Sequence, residues 1–243
     1  MNMDYEYLPI SGYQPFIDEA LKLIYTPNIY DRVVGIQTLS GTGALSVGAM
    51  FLSKLYDKET THVYLSDPTW VNHRSIFEQA GWKNINTYSY YDPKTIGFNL
   101  NAMKASVVGA PKGSIFVLHE CAHNPTGVDP THDEWLTIAE LMLRKGHQVF
   151  FDSAYQGYAS GSLDDDAYAA RIFAEKGIEY LCAQSFSKNL GLYNERIGTL
   201  SVVLNDPSHK NAVLSQLKHV ARSCYSNPPA HGARLVHIIL SDP

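Results

Sequence analysis

The feature that constrains this chain most is an alternation. Short apolar runs of five to eight residues recur along it, and stretches with helical spacing of apolar side chains separate them. The runs at 62–66 (HVYLS), 84–90 (NINTYSY), 114–119 (SIFVLH), 148–152 (QVFFD), 180–185 (YLCAQS) and 197–204 (IGTLSVVL) read as strands. Residues 42–56, 70–80, 131–145 and 165–176 read as helices. The third begins with Thr131 and carries Glu134 three residues on, the spacing of a capping box. Strand and helix in alternation over this length predict a largely parallel sheet covered on both faces. In such sheets ligands collect outside the carboxyl ends of the strands. Asp67, Asn124, Asp152, Ser185 and Lys188 all fall there.

Composition narrows the function classes. With 243 residues, 45% of them apolar, the chain is long enough for one sizeable core. A net charge of −5 gives no electrostatic footprint for nucleic acid or an anionic membrane. No apolar run approaches the roughly 20 residues that span a bilayer. The start, MNMDYEYLPI, has neither a basic n-region nor an apolar h-region, so no signal peptide is expected. Cys121, Cys182 and Cys224 are odd in number and lack a C-x-x-C spacing; they are expected to be reduced, buried or half-buried thiols of an intracellular protein.

Four stretches carry the chemistry. In SGTGAL (40–45) small residues precede a helix, and Gly41 and Gly43 let an anion approach its free N–H groups. The spacing matches neither G-x-x-x-x-G-K-[ST] nor G-x-G-x-x-G, and a plain turn and cap reads the same way. In HECAHNPTG (119–127), His119 to His123 spell H-E-x-x-H, a zinc-protease pattern. That motif needs a helix, whereas a strand precedes it here and Pro125 disfavours helical geometry at Asn124. A strand end and turn that project Asn124 into a cleft are expected instead. In FFDSAYQGY (150–158), Asp152 ends an apolar strand and calls for a cationic partner, such as a protonated ring nitrogen, with Tyr155 close by; an Asp capping the next turn is the alternative. In QSFSKNLGLYNERIG (184–198), Ser185, Lys188 and Arg196 offer a hydroxyl, an amine and a guanidinium. A shielded amine suits Schiff-base chemistry with a carbonyl cofactor, and Arg binds phosphate as a planar fork. Taken together, the set is what pyridoxal 5'-phosphate requires.

EYLPI, SGTGAL, DPTWVNH, HNPTGVDPT, DSAYQGYASG, SFSKNLGLYNERIG and YSNPPAHGA resemble, in order, the motifs of the aspartate aminotransferases of fold type I, within the class I aminotransferases. The resemblance covers nearly the whole chain. It implies an α/β three-layer sandwich with a mostly parallel sheet of about seven strands, in a homodimer with shared active sites. It implies that Lys188 holds the cofactor, that Asp152 pairs with the pyridine nitrogen and that Tyr155 and Asn124 contact the ring oxygen. Trp70 would stack on the ring and His73 would stand behind Asp152. Gly41, Thr42, Ser185 and Arg196 would bind the phosphate, with Tyr7 reaching the phosphate of the neighbouring subunit. Arg222 would cross the interface to hold the distal carboxylate of a dicarboxylic substrate.

The implied reaction is transamination between L-aspartate and 2-oxoglutarate, giving oxaloacetate and L-glutamate. Three alternatives stay open: aromatic or broad specificity, a cofactor-binding fragment inactive alone, and a zinc hydrolase built on HECAH (119–123). The resemblance assigns residues 1–243 to the pyridoxal-phosphate-binding large domain and the start of an interdomain helix. The amino-terminal arm and the small domain, with its arginine for the substrate α-carboxylate, are expected to lie outside this chain. No role is assigned to Arg234. The expected partners are amino-acid and oxo-acid substrates, not nucleic acid or membrane, and the expected compartment is the cytoplasm, with the mitochondrion as alternative.

Overall fold

The computed structural model describes residues 5–242. Seven strands form one sheet: β1 (Val33–Leu39), β2 (His62–Asp67), β3 (Asn84–Ser89), β6 (Ile115–His119), β7 (Gln148–Ser153), β8 (Tyr180–Ser185) and β9 (Ile197–Val203). Their spatial order is β1-β9-β8-β7-β6-β2-β3. The ladder from β3 through β2, β6 and β7 to β8 is parallel, and β9 runs antiparallel to both its neighbours. A small hairpin of β4 (Tyr91–Asp92) and β5 (Gly97–Phe98) stands apart. Burial follows position: β6, β8 and β9 are buried at every residue, whereas edge strand β3 has one buried residue. Central strands covered on both faces need continuous apolar runs, which is why those three read so clearly in the sequence.

Helices make the outer layers. On one face α3 (Ser40–Leu55), α4 (Asn72–Gln79) and α9 (Lys210–Cys224) close a core containing Leu45, Leu52, Phe77, Phe150 and Leu217. On the other, α1 (Gln14–Ile24), α5 (Leu100–Gly109), α6 (His132–Lys145), α8 (Tyr168–Glu175) and α10 (His231–Ser241) bury Phe16, Phe116, Trp135, Phe151 and Phe173. Short turns of helix, α2 (Pro27–Tyr30) and α7 (Leu163–Asp166), complete the layers. The three-layer, mostly parallel architecture is the one expected. So is the capping box on α6: Thr131 accepts from the Glu134 N–H and Glu134 accepts from the Thr131 N–H. The helix closes at Gly146, whose φ of 65° suits a residue without a side chain.

Some boundaries differ from the sequence reading. Helix α3 starts at Ser40, so Ser40 and Gly41 belong to its first turn rather than to a preceding loop. The stretch 165–176 is split between α7 and α8. Strand β1 escapes the apolar-run criterion because Gly35 and Gln37 interrupt it. Gly35 lets α1 approach: a Cβ there would lie 3.3 Å from Ile17 and Leu21. Gln37 is fully buried yet bonded at both ends of its amide, accepting from the Tyr13 N–H at 2.9 Å and donating to Pro229 O at 2.7 Å. Cys121 and Cys182 are buried as expected, but Cys224 is exposed, because it falls on the outer side of the last turn of α9.

Candidate active site

A cleft of about 220 Å³ opens at the carboxyl ends of β6, β7 and β8, against the first turn of α3. Its walls include Gly41, Thr42, Trp70, Asn124, Asp152, Tyr155, Ser185, Lys188 and Arg196. Nine residues from five separate stretches of sequence thus meet in one place. Gly41 and Thr42 arrive in the first turn of α3, and the others at the end of a strand or in the loop after it, where the parallel topology sends successive segments to the same edge.

At one end the cleft is built of hydroxyls, a helix start and a guanidinium. Ser40 Oγ lies 2.8 Å from Ser185 Oγ and 2.7 Å from Ser187 Oγ. Arg196 Nη1 donates to Ser187 Oγ at 3.2 Å and to Tyr193 O at 3.0 Å. Two glycines permit this closeness. A Cβ on Gly41 would stand 3.1 Å from Ser185 Cβ, and one on Gly198 would fall 2.3 Å from Gln184 O and 2.8 Å from the Ser40 carbonyl carbon. The first N–H groups of a helix have no intrahelical partner, and they carry the positive end of its dipole. With the hydroxyls and Arg196 they form a donor set suited to a phosphate.

Asp152 occupies the middle, 8% exposed. Burial alone would raise its pKa. The hydrogen bond from His73 Nε2 at 3.0 Å, with the electrostatic influence of His73, His119 and Lys188, outweighs that and holds it below the ordinary carboxylate range. A relay behind His73 fixes the direction of that bond. The Asn124 N–H donates to His119 Nδ1 at 3.3 Å. Burial pushes His119 down to about 3, so at neutral pH its single proton sits on Nε2. Nε2–H therefore faces Thr69 Oγ1 at 3.4 Å, and the Thr69 hydroxyl is left to donate to His73 Nδ1 at 2.8 Å. His73 then carries its proton on Nε2 and donates it to Asp152 Oδ2. A carboxylate so held accepts a further hydrogen bond from a protonated nitrogen in the cleft.

Lys188 Nζ lies 5.1 Å from the centre of the Tyr155 ring, and its main-chain carbonyl accepts from Tyr158 Oη at 3.2 Å. The Tyr155 phenol is raised above its ordinary pKa, first by burial and then by the Asp152 carboxylate and Tyr193, so it keeps its proton as a donor. Trp70 closes one side, its ring edge-on to His73 at 5.3 Å.

The H-E-x-x-H spelling lies on the end of β6 and the turn after it, not on a helix. His123 bonds Ser66 Oγ at 2.9 Å and Thr126 Oγ1 at 2.8 Å. Among the described residues no cluster of three or more His, Cys, Asp or Glu could hold a metal ion. Asn124 does project into the cleft, as expected. Tyr7 and Arg222 do not line it: Tyr7 is 86% exposed in the extended amino-terminal segment, and Arg222 is exposed near the end of α9. The sequence reading missed Ser40, Ser187, Thr69, His119 and Tyr193. The i, i+4 spacing of Thr69 and His73, and the alternation of Ser185 and Ser187 just before Lys188, was the available signal.

The family model for aminotransferase class I and II matches residues 2–243. The cytoplasmic aspartate aminotransferase of Gallus gallus is 50% identical over 249 residues, covering 100% of this chain and 60% of that protein. A putative aspartate aminotransferase from Leishmania major Friedlin has a crystal structure with a TM-score of 0.97 and 63% identity, covering 100% of this chain and 60% of the other. The aromatic-amino-acid aminotransferase from Burkholderia pseudomallei, solved covalently bound to pyridoxal phosphate, gives 0.95 and 42%, with 100% and 61% covered. This chain therefore spans about 60% of the length of the curated relative and of both solved neighbours. By that match across nearly all its residues, and by the fold and cleft that go with it, the chain belongs to the class I and II aminotransferases.

Proposed function

We propose that residues 1–243 are the pyridoxal-phosphate-binding large domain of an aspartate aminotransferase, and that α10 is the start of its interdomain helix. The observation that carries this reading is the cleft itself. A lysine amine, a buried carboxylate held below its usual range and a hydroxyl–guanidinium cup line one cavity. The cradle at Gly41, Ser185 and Arg196 fits a phosphate, and the acceptor at Asp152 fits a protonated pyridine nitrogen. When bound, the cofactor supplies an aldehyde that condenses with the Lys188 amine and a cationic ring that takes up an electron pair.

The chain's own residues do the rest. Ser40, Ser185, Ser187, Arg196 and the α3 N–H groups of Gly41 and Thr42 anchor the phosphate. Asp152, oriented by His73, keeps the proton on the ring nitrogen. Tyr155 and Asn124 donate to the ring oxygen, and Trp70 covers one face and excludes water. Lys188 would serve as general base and acid for the α-proton of the substrate. Tyr7 and Arg222 support a homodimer with shared sites: both are exposed and outside their own cleft, free to reach a partner's phosphate and the distal carboxylate of its substrate. Bidentate recognition of that carboxylate by Arg222 favours aspartate and glutamate over neutral amino acids. Relatives named cytoplasmic, alongside one named mitochondrial, support the cytoplasm as compartment with the mitochondrion as the alternative. Among the described residues no helix is long and apolar enough to cross a membrane.

The test is a visible spectrum with added pyridoxal phosphate, followed by borohydride reduction and peptide mapping. A new absorption band and a label on Lys188 are expected, both absent in Lys188→Ala. A label on another residue, or a band kept by Lys188→Ala, overturns the assignment. Broad or aromatic specificity is the second reading, favoured by the likeness to the Burkholderia enzyme. Faster loss of the band with phenylalanine than with aspartate selects it. A band that neither amino acid discharges identifies a binding fragment inactive alone.

A further inference from the structure

A second cavity, of about 200 Å³, lies on the opposite face of the sheet from the cleft. Strand parity puts it there. Leu118 pairs with Phe151 and His119 with Asp152, so Glu120, one step on, projects away from the His119–Asp152 side. It faces the layer in which Phe151 packs against Phe173 and Trp135. Glu120 lines the cavity with Trp135, Asp129, Asp165 and Asp166. It is only 2% exposed, and neither of its carboxyl oxygens has a hydrogen-bond partner. The Ser153 hydroxyl lies close enough to act on this carboxyl, but no well-formed hydrogen bond joins the two.

Among the described residues none pairs with this acid; His132 also lines the cavity, but its ring stacks on Tyr168 at 3.7 Å. Arg171, whose charge does act on it, is engaged by Ile24 O at 2.7 Å, Leu23 O at 3.3 Å and Asp164 at 2.8 Å. Half-buried Asp129 and buried Asp166 are already used. Asp129 accepts from the Ala122 and His123 N–H groups, and Asp166 from those of Gly157, Ala159 and Ser160. Those bonds pin the two loops that carry Asn124 and Tyr155, so the cavity sits directly behind both. What remains is a carboxyl with two free oxygens, an indole on the wall and an exposed acid, Asp165, at the rim. Two unpartnered carboxylate oxygens match a planar fork of N–H donors better than a point charge. An indole face adds to the binding of such a cation.

We propose that this cavity is a second binding site, for the guanidinium group of a small guanidino compound, with Glu120 as its bidentate acceptor. Burial pushes the Glu120 carboxyl up to about 8, so it is protonated at neutral pH in the free protein. Binding then ionises it: the guanidinium enters, and the Glu120 proton leaves to buffer.

The experiment is calorimetric titration of the full chain with methylguanidinium at pH 7, at constant ionic strength, in two buffers of different ionisation enthalpy. Saturable binding in the millimolar range is expected, with net release of protons to the buffer, because the raised pKa leaves Glu120 largely protonated in the free protein. Methylammonium, which lacks the fork, should bind at least tenfold more weakly. Glu120→Gln, which keeps the shape and removes the charge, should lose both binding and proton release. Asp165→Asn should weaken binding a few-fold, and it serves alone if Glu120→Gln does not fold. Tighter binding of methylguanidinium than of an acetylated Gly-Arg-Gly amide assigns a free guanidino compound; the reverse order assigns an arginine side chain of a peptide. Absence of saturable binding, binding without proton release, or binding kept undiminished by Glu120→Gln overturns the proposal.

Discussion

Replacing Thr69 by Val tests the relay behind Asp152 without opening a hole, since the two side chains have nearly the same shape. What disappears is the hydroxyl that bonds His73 Nδ1 at 2.8 Å and meets His119 Nε2 at 3.4 Å. His73 is 0% and His119 5% exposed, so bulk water cannot replace it. A buried polar group left without its partner costs about 1–3 kcal/mol. The bond to His73 is short and counts in full, whereas the contact to His119 is long and counts for little. A loss of about 2 kcal/mol is therefore expected, or a fall in Tm of roughly 4–8 °C for a domain of this size. Urea unfolding at pH 7, with Thr69→Ser beside it, measures this. Thr69→Ser keeps the hydroxyl and should stay within about 0.5 kcal/mol of the parent, the range of substitutions that break nothing. Nitrogen-15 NMR should show His73 protonated at Nε2 in the parent and losing that preference in Thr69→Val. If Thr69→Val is as stable as the parent, or Thr69→Ser falls as far as Thr69→Val, the hydroxyl does not carry the relay and the argument for the orientation of Asp152 fails.

Other outcomes follow from burial and close approach. Gly48 of α3 lies on Phe150, where a Cβ would come within 2.3 Å of the ring. Gly48→Ala should therefore destabilise the fold by about 1–3 kcal/mol through overpacking, and chemical denaturation that shows a net gain would refute this, since helix preference alone favours Ala by up to about 1 kcal/mol. Stability should pass through a maximum near pH 6.5. Burial lowers His119 to about 3 and His123 to about 4, so below the ordinary histidine range the unfolded chain takes protons that the folded one refuses, and stability drops as pH falls. Glu120 works in the opposite sense: raised to about 8, it keeps its proton when the unfolded chain has lost it, so its contribution declines as pH climbs from the ordinary Glu value to about 8, by roughly 1.4 kcal/mol per unit. Glu120→Gln should flatten the alkaline limb and leave the acid limb in place; denaturation profiles from pH 4 to 9 that keep the alkaline slope in the variant would show that Glu120 is not its source.

The parts of the fold legible in the sequence are those that local chemistry determines. Strands β6, β8 and β9 are buried on both faces and so must be apolar throughout, and α6 announces its start by a capping box. Strand β1 is different: its Gly35 and Gln37 make sense only against α1 and the Pro229 carbonyl, contacts that no window of sequence contains. The site divides in the same way. Lys188, Asp152 and Asn124 were legible because a polar group at the end of an apolar strand is conspicuous, and a parallel sheet sends such ends to one edge. Thr69 and His119 are 50 residues apart in sequence and meet only through the pairing of β2 with β6, so their joint service to His73 was hidden.

His119 and Glu120 make the limit plain. They stand side by side in a spelling that suggests one metal site. In a strand, one step along the chain is a change of face. His119 turns toward Asp152 and the cleft, while Glu120 turns to the other layer and its own cavity. A motif written for a helix, where residues four apart share a side, thus loses its meaning once the backbone is extended. The same parity places one buried acid before the cleft and another behind it, on neighbouring strands joined by the bond from the Glu120 N–H to Asp152 O at 3.0 Å. The rear carboxyl is therefore separated from the front one by a single backbone hydrogen bond.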